Sequence, residues 1–292
     1  MNEKIFIKFV KHIPLNLRRR LAVFFGRLFY HFSLKHRLIA MHNLMRAFPE
    51  KSFQEIVEIA KESYISSAYL VADFFDIPNL NKDNLHLRVN VEGLENYTGA
   101  QNEGKGVILL GAHVGNWEIG NAALAILTRP FVFIYRILDS PFLERGITGV
   151  RASYGNVSLP KKDAMRPMIR LLKKGLTVNL LIDQNVDWCD GVFVDFFGRK
   201  ACTTSGLALL ALYTKAPVLP AFTRRLPDGR YLMEIGRKID MVRSGNREED
   251  ILSNTQNFTK VIEDFVRKYP GQWLWVHQRW KTKTCQIKIK KG

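Results

Sequence analysis

The run Val107-Ile-Leu-Leu-Gly-Ala-His-Val-Gly-Asn-Trp-Glu118 sets an imidazole, His113, and a carboxylate, Glu118, five positions apart, directly after an apolar stretch. A His and an acid held at a strand-to-helix turn are the parts needed to take a proton from an alcohol. The acid accepts a hydrogen bond from one ring nitrogen, and the other is left as a general base near neutral pH. No Ser or Cys nucleophile is needed if the hydroxyl of an acceptor makes the attack. A packed or capping His is the plainer reading of one such residue. Against it stands the crowding of His113, Asn116, Trp117 and Glu118 at a strand's C-terminal end, where open α/β sheets hold their ligands.

The elements that position these residues follow from periodicity. Residues 107–110 are β-branched and aliphatic, Gly111 and Gly115 permit a tight turn, and 116–127 have helical character. Further strands are expected at 85–91, 131–136, 177–183, 217–223 and 231–239. Helices are expected near 141–154, 163–174, 204–215 and 247–268. This alternation implies an α/β fold with a mostly parallel central sheet covered by helices. Three helices, at 17–32, 34–48 and 52–76, precede it, the last opened by Ser52 and Glu55 in capping-box spacing. Asn79 to Asn84 is the one plausible joint, dividing a helical extension (1–80) from an α/β domain (81–292). A chain of 292 residues, 47% apolar, can bury a substantial core.

Other candidates lie at the ends of the later strands. Arg136 can grip a phosphate or steady developing negative charge, and Asp183 with Gln184 can hydrogen-bond acceptor hydroxyls. Asn116 and Trp117 sit beside the presumed base. Phe196, Phe197 and Gly198 are expected to wall an apolar slot, and Thr203 or Thr204 to cap the next helix, whose N-terminus can hold an oxyanion. Each also has a plain structural reading: surface ion pair, turn, core packing or cap. Trp273, Trp275 and His277 alternate as in a strand with one aromatic face. Cys189, Cys202 and Cys285 are an odd number without metal-like spacing and read as reduced packing residues, and no His cluster implies a metal.

The formal charge of +17 is concentrated at the ends. Residues 1–48 carry a net +9 and residues 267–292 a net +8, leaving 49–266 neutral in sum. Such an excess suits an anionic membrane, an acidic protein or nucleic acid. In residues 17–32 the arginines are interleaved with Phe24, Phe25, Leu28, Phe29 and Phe32, which favours a helix lying in a lipid interface while Arg stems reach phosphates. Arg27 interrupts the run well short of the roughly 20 apolar residues a crossing needs. An ordinary core-packed helix with its arginines in water is the alternative. A basic nucleic-acid-binding protein would explain the charge, but not a proton-transfer site within the neutral middle, so no nucleic acid is expected as a partner.

The His-x4-Glu spacing resembles the motif of the lysophospholipid acyltransferase superfamily, and Gly111-Ala-His-Val-Gly-Asn-Trp-Glu118 is similar to the late acyltransferases of lipid A biosynthesis, the lauroyl and myristoyl transferases. The similarity continues in order through Tyr135-Arg136, Asp183-Gln184, the stretch from Val192 to Ala201, Thr203-Thr204, and Gln272-Trp-Leu-Trp-Val-His-Gln-Arg-Trp280. Asn43-Leu-Met-Arg-Ala-Phe-Pro49 fits it too. The resemblance implies an O-acyltransferase of the lipopolysaccharide pathway at the cytoplasmic face of the inner membrane, with no cofactor beyond its co-substrate. In it, His113, oriented by Glu118, activates a hydroxyl of a lipid A precursor against an acyl thioester. The implied donor is an acidic acyl carrier protein, recruited like the anionic membrane by the positive ends. Acyl-coenzyme A-dependent transfer to phospholipids or phosphatidylinositol mannosides uses the same motif. Many members of that family have a clearer N-terminal anchor than this chain.

Overall fold

The computed structural model describes residues 10 and 12–284. Its centre is a seven-stranded sheet in the order β1-β9-β8-β2-β5-β3-β4. The strands are β1 (Val89–Glu92), β2 (Val107–Gly111), β3 (Val132–Tyr135), β4 (Val157–Pro160), β5 (Thr177–Leu181), β8 (Val218–Arg225) and β9 (Tyr231–Ile235). All neighbours are parallel except β8 and β9. A separate antiparallel hairpin joins β6 (Gly191–Phe196) to β7 (Arg199–Thr204).

Every residue of β2 is buried, as a strand covered on both faces requires. Ile108 and Leu110 join Val178, Leu180 and Val218 in one apolar cluster, and Val107 and Leu109 join Phe133 and Leu219 in the other. This is the period-two alternation of a strand carried into packing, and each such side chain contributes about 1.5–3 kcal/mol when withdrawn from water. The second cluster is closed by α4 (Leu94–Asn102), α5 (Trp117–Leu127) and α6 (Pro141–Arg151). The first is closed by α7 (Met165–Lys173), α8 (Gly206–Thr214), α9 (Arg247–Lys268) and residues of the N-terminal helices α1 (Leu15–Phe32), α2 (Leu34–Ala47) and α3 (Phe53–Phe74). The helical extension and the sheet thus share one core, and the segment from Asn79 to Asn84 is a turn closed by Asn side chains: the Asn81 N–H donates to Asn84 Oδ1 at 2.8 Å.

Four differences from the sequence expectation have physical reasons. α4 contains Asn, Thr and Gly, and its short length gives no clear helical signal. β4 ends in Pro160, tolerated because this is an edge strand. The β6–β7 register pairs Phe196 with Arg199, so Phe197 and Gly198 form a two-residue turn with both φ values positive (53° and 68°), the primed geometry that matches strand twist. The strand expected over 273–277 is absent. A 3-10 turn, Pro270–Gln272, is followed by irregular chain that buries Trp273 and Trp275 together, ring centroids 4.5 Å apart.

α1 lies along α3, where Gly26 permits close approach: a Cβ there would stand 3.0 Å from Ala68 Cβ. It packs Tyr30 into the core, yet at other positions it departs from an ordinary core-packed helix. Arg18 is buried and pairs with Asp76 at 2.9 Å, Arg19 pairs with the wholly buried Asp73 at 2.8 Å, and Phe24, Phe25, Phe29 and Phe32 are exposed. Two of the arginines expected to reach phosphates are therefore committed inside the protein. No helix among the described residues is long and apolar enough to cross a membrane.

Candidate active site

Parallel register builds the centre of the site. Gly111 of β2 lies opposite Leu181 of β5, so two residues further along each strand His113 meets Asp183. The His113 backbone N–H donates to Asp183 Oδ2 at 2.9 Å, and Nδ1 is 2.8 Å from Asp183 Oδ1. The Trp273 indole N–H donates to Oδ2 at 2.7 Å. Burial would raise the Asp183 carboxyl, but the imidazole beside it and the donors from His113 and Trp273 outweigh this and hold it at about 2. An ionised carboxylate only accepts, so Nδ1 carries a proton and Nε2 is the ring nitrogen left to other partners. Gln184 Nε2 lies 3.3 Å from that nitrogen as a long, displaceable donor.

The loop holding His113 is fixed on both sides. Gly115 N–H donates to Gln272 O at 2.7 Å and Asn116 N–H to Thr223 O at 3.0 Å. Gly115 has φ +56°, and a Cβ there would lie 2.1 Å from Thr223 O, so only glycine fits this crossing.

Glu118 does not make the hydrogen bond expected of it. It begins α5 beside Trp117, whose indole N–H donates to Oε1 at 3.1 Å, and it is gripped by Arg151 of α6, Nε to Oε2 at 3.1 Å. The guanidinium also lies over the Phe133 ring, 5.1 Å from its centroid. The partner of the imidazole is Asp183, because strand register, which linear spacing does not contain, brings 113 and 183 together. Glu118 nonetheless lines the same cleft as His113, and Trp117 stands edge-on to the imidazole at 4.9 Å.

That cleft has a volume of about 1110 Å³. His113, Trp117, Glu118, Arg151 and Gln184 face one part, and Met165, Met168, Leu180, Ile182 and Leu209 give it an apolar wall. Arg136 is on its rim with its side chain 84% exposed and 3.6 Å from Asp139. Asn116 is buried outside the cleft lining, its Oδ1 capping α5 by accepting from Ile119 N–H at 3.1 Å. Phe197 and Gly198 form the hairpin turn, with Phe197 packed against Phe48 and Trp275, not walling a substrate slot. Thr203 is buried and accepts from Arg279, and it is Thr204 Oγ1 that takes the Gly206 N–H at 3.3 Å. Cys202 is buried, and burial pushes its thiol up, which suits packing. Cys285 lies outside the described residues.

Spacing gave no signal for Trp273, Arg151 or Arg279 as parts of this site. Arg279 is completely buried, and burial brings its guanidinium down to about 10. It donates to Cys202 O at 2.9 Å and stands over the Phe196 ring, tying the β7 end to the chain after Asp183. His277 accepts the Asn185 N–H on Nε2 at 2.9 Å, and burial depresses it from 6.5 to about 4. Between those values the unfolded chain binds the proton and the folded chain does not. Stability from this group is full above 6.5 and is lost as pH falls towards 4. Urea midpoints at pH 7 and pH 5 should therefore drop less for His277→Gln than for the wild type; equal drops would remove His277 from the account.

Fold and cleft together define an α/β protein with an imidazole at the mouth of parallel strands, beside a cleft with an apolar wall. Residues 4–282 match the family model described as bacterial lipid A biosynthesis acyltransferase, and the chain belongs to that family of acyltransferases. It is 27% identical to a lipid A biosynthesis acyltransferase of Haemophilus influenzae, over 95% of this chain and 86% of that protein. It is 27% identical to the lipid A biosynthesis lauroyltransferase of Escherichia coli, over 94% and 88%. A phosphatidylinositol mannoside acyltransferase of Mycolicibacterium smegmatis is 26% identical over 76% of this chain and 72% of its own. The crystal structure of a 1-acyl-sn-glycerophosphate acyltransferase from Thermotoga maritima covers 89% of this chain and 99% of that one, at 17% identity and a TM-score of 0.41.

Proposed function

We propose that the protein transfers a fatty acyl group from the thioester of an acidic acyl carrier protein to a hydroxyl of a lipid A precursor or closely related glycolipid. The observation that carries this reading is the His113 imidazole, fixed at Nδ1 by a buried, ionised Asp183, with Nε2 facing a cleft of about 1110 Å³ that has an apolar wall. Nε2 takes the proton of the acceptor hydroxyl as its oxygen attacks the thioester carbonyl. The tetrahedral oxyanion then collapses, the carbon–sulfur bond breaks, and the departing thiolate takes the proton from Nε2. Arg151, held by Glu118 on the wall of the cleft, supplies positive charge for the oxyanion or for an acceptor phosphate. In this scheme Glu118 acts through Arg151 and Trp117, while Asp183 orients the base.

The test is incubation of the purified protein with a phosphorylated glucosamine disaccharide lipid and either acyl carrier protein or coenzyme A thioesters, followed by mass spectrometry. One added acyl group from the carrier-bound donor supports the assignment. Transfer from coenzyme A alone, or to a mannosylated inositol lipid alone, overturns it in favour of the alternative suggested by the mycobacterial relative.

The same reading places the protein on the cytoplasmic face of the inner membrane, attached through α1. Phe24, Phe25, Phe29 and Phe32 are the exposed apolar side chains that enter the acyl boundary. Phe24→Glu with Phe25→Glu should lower sedimentation with anionic vesicles on the order of tenfold, from lost apolar burial, without changing the urea midpoint. Unchanged sedimentation would count against an interfacial α1.

A further inference from the structure

The neutrality of residues 49–266 is a sum that hides a local excess. Between 161 and 174 stand Lys161, Lys162, Arg166, Arg170, Lys173 and Lys174 against the single acid Asp163. All six cations are exposed, and none pairs with a carboxylate among the described residues. Arg166, Arg170 and Lys173 recur at helical spacing along the outer face of α7. The inner face of the same helix presents the buried Met168 and Leu172, and Met165 and Met168 wall the catalytic cleft. Lys161 and Lys162 lie at the edge of that cleft. One helix therefore joins the apolar wall of the site to a basic outer surface.

We propose that this stripe on α7 is the docking surface for an acidic carrier protein that presents its thioester at the edge marked by Lys161 and Lys162. The proposal rests on the donor assigned above. Three observations favour a protein over other anions. The α7 charges run along a helix roughly 13 Å long, at about 1.5 Å per residue over nine residues, and do not converge on one point as a small phosphate site would. No large apolar side chain is exposed between 161 and 174, so the stripe lacks what an interfacial segment inserts into lipid, in contrast to the phenylalanines of α1. The cations are not neutralised by carboxylates of the described chain, so an acidic helix face opposite them gains charge complementarity and faster encounter.

The test is Arg166→Glu with Arg170→Glu and Lys174→Glu in the full chain. None of these residues lines the catalytic cleft. With the acyl carrier protein thioester, KM should rise on the order of tenfold or more at low ionic strength, kcat at saturation should hold, and the wild-type dependence of KM on salt should flatten. With a short acyl-pantetheine thioester, which has no protein to dock, turnover should equal wild type and also report that the variant is folded. If the wild type uses the carrier-bound donor and the variant's KM for it is unmoved, the stripe is not the docking surface and the donor assignment stands. A wild type that refuses the carrier-bound donor overturns both. A variant that loses vesicle binding but keeps its KM assigns the stripe to the membrane and overturns the proposal.

Discussion

Asp183→Asn should lower kcat by about 10³- to 10⁴-fold, the scale on which removing the carboxylate behind a catalytic imidazole acts in hydrolytic triads. The amide keeps the shape of the carboxylate but neither enforces the Nδ1–H tautomer nor stabilises the imidazolium that forms as Nε2 takes the proton. His113→Ala should lose at least as much, and the double variant little more than either, because the two act as one unit. Glu118→Gln should cost less, since it weakens the hold on Arg151 and Trp117 and leaves the Asp183 contacts of His113 intact. Steady-state kinetics on the three variants with one donor and one acceptor settle the order. If Glu118→Gln proved the more damaging and Asp183→Asn were mild, the acid five residues after the His would be the orienting group after all. Near-normal turnover in His113→Ala would remove the general base from the scheme altogether.

That ordering bears on what the sequence could and could not reveal. The elements were legible where periodicity is strong: β2, the helix after it, β5 and α9 fall at or within a few residues of their expected positions, because buried parallel strands and amphipathic helices write their environment into residue type. The rim of the site was legible as well, since His113, Arg136 and Asp183 all end strands of one sheet. What linear spacing lacks is register. Whether His113 meets Glu118 or Asp183 depends on Gly111 facing Leu181 across two strands remote in sequence. Similarly, Trp273 reaches Asp183 only because the chain after α9 folds back through an irregular segment, and alternation in 273–277 suggested a strand where both indoles are in fact buried. For Phe197 and Gly198 the residue types leave a slot wall and plain packing both open, and only pairing of Phe196 with Arg199, which makes them the hairpin turn, separates the two.

The second large effect concerns the way α1 is attached. Asp73 is completely buried at the end of α3 and is shared by Arg19 of α1, Arg88 just before β1, and the Tyr231 hydroxyl of β9. Asp73→Ala leaves two guanidiniums and a phenol without their common acceptor, and breaking one partner of a buried ionic network costs about 3–5 kcal/mol. Against a typical total of about 5–15 kcal/mol, that should move the urea midpoint by a large fraction of its value. The loss should come from unpaired charge more than from lost attraction, and a second variant separates these. Asp73→Leu combined with Arg19→Met removes both the acid and one of its cations and should recover part of the deficit. If the double variant were no more stable than Asp73→Ala, the geometry of the network and not its electrostatics would be what fastens α1 to the sheet. An unchanged midpoint in Asp73→Ala would mean that the remaining contacts of α1, the close approach of Gly26 to Ala68 and the Arg18–Asp76 pair among them, suffice without the Arg19–Asp73 pair.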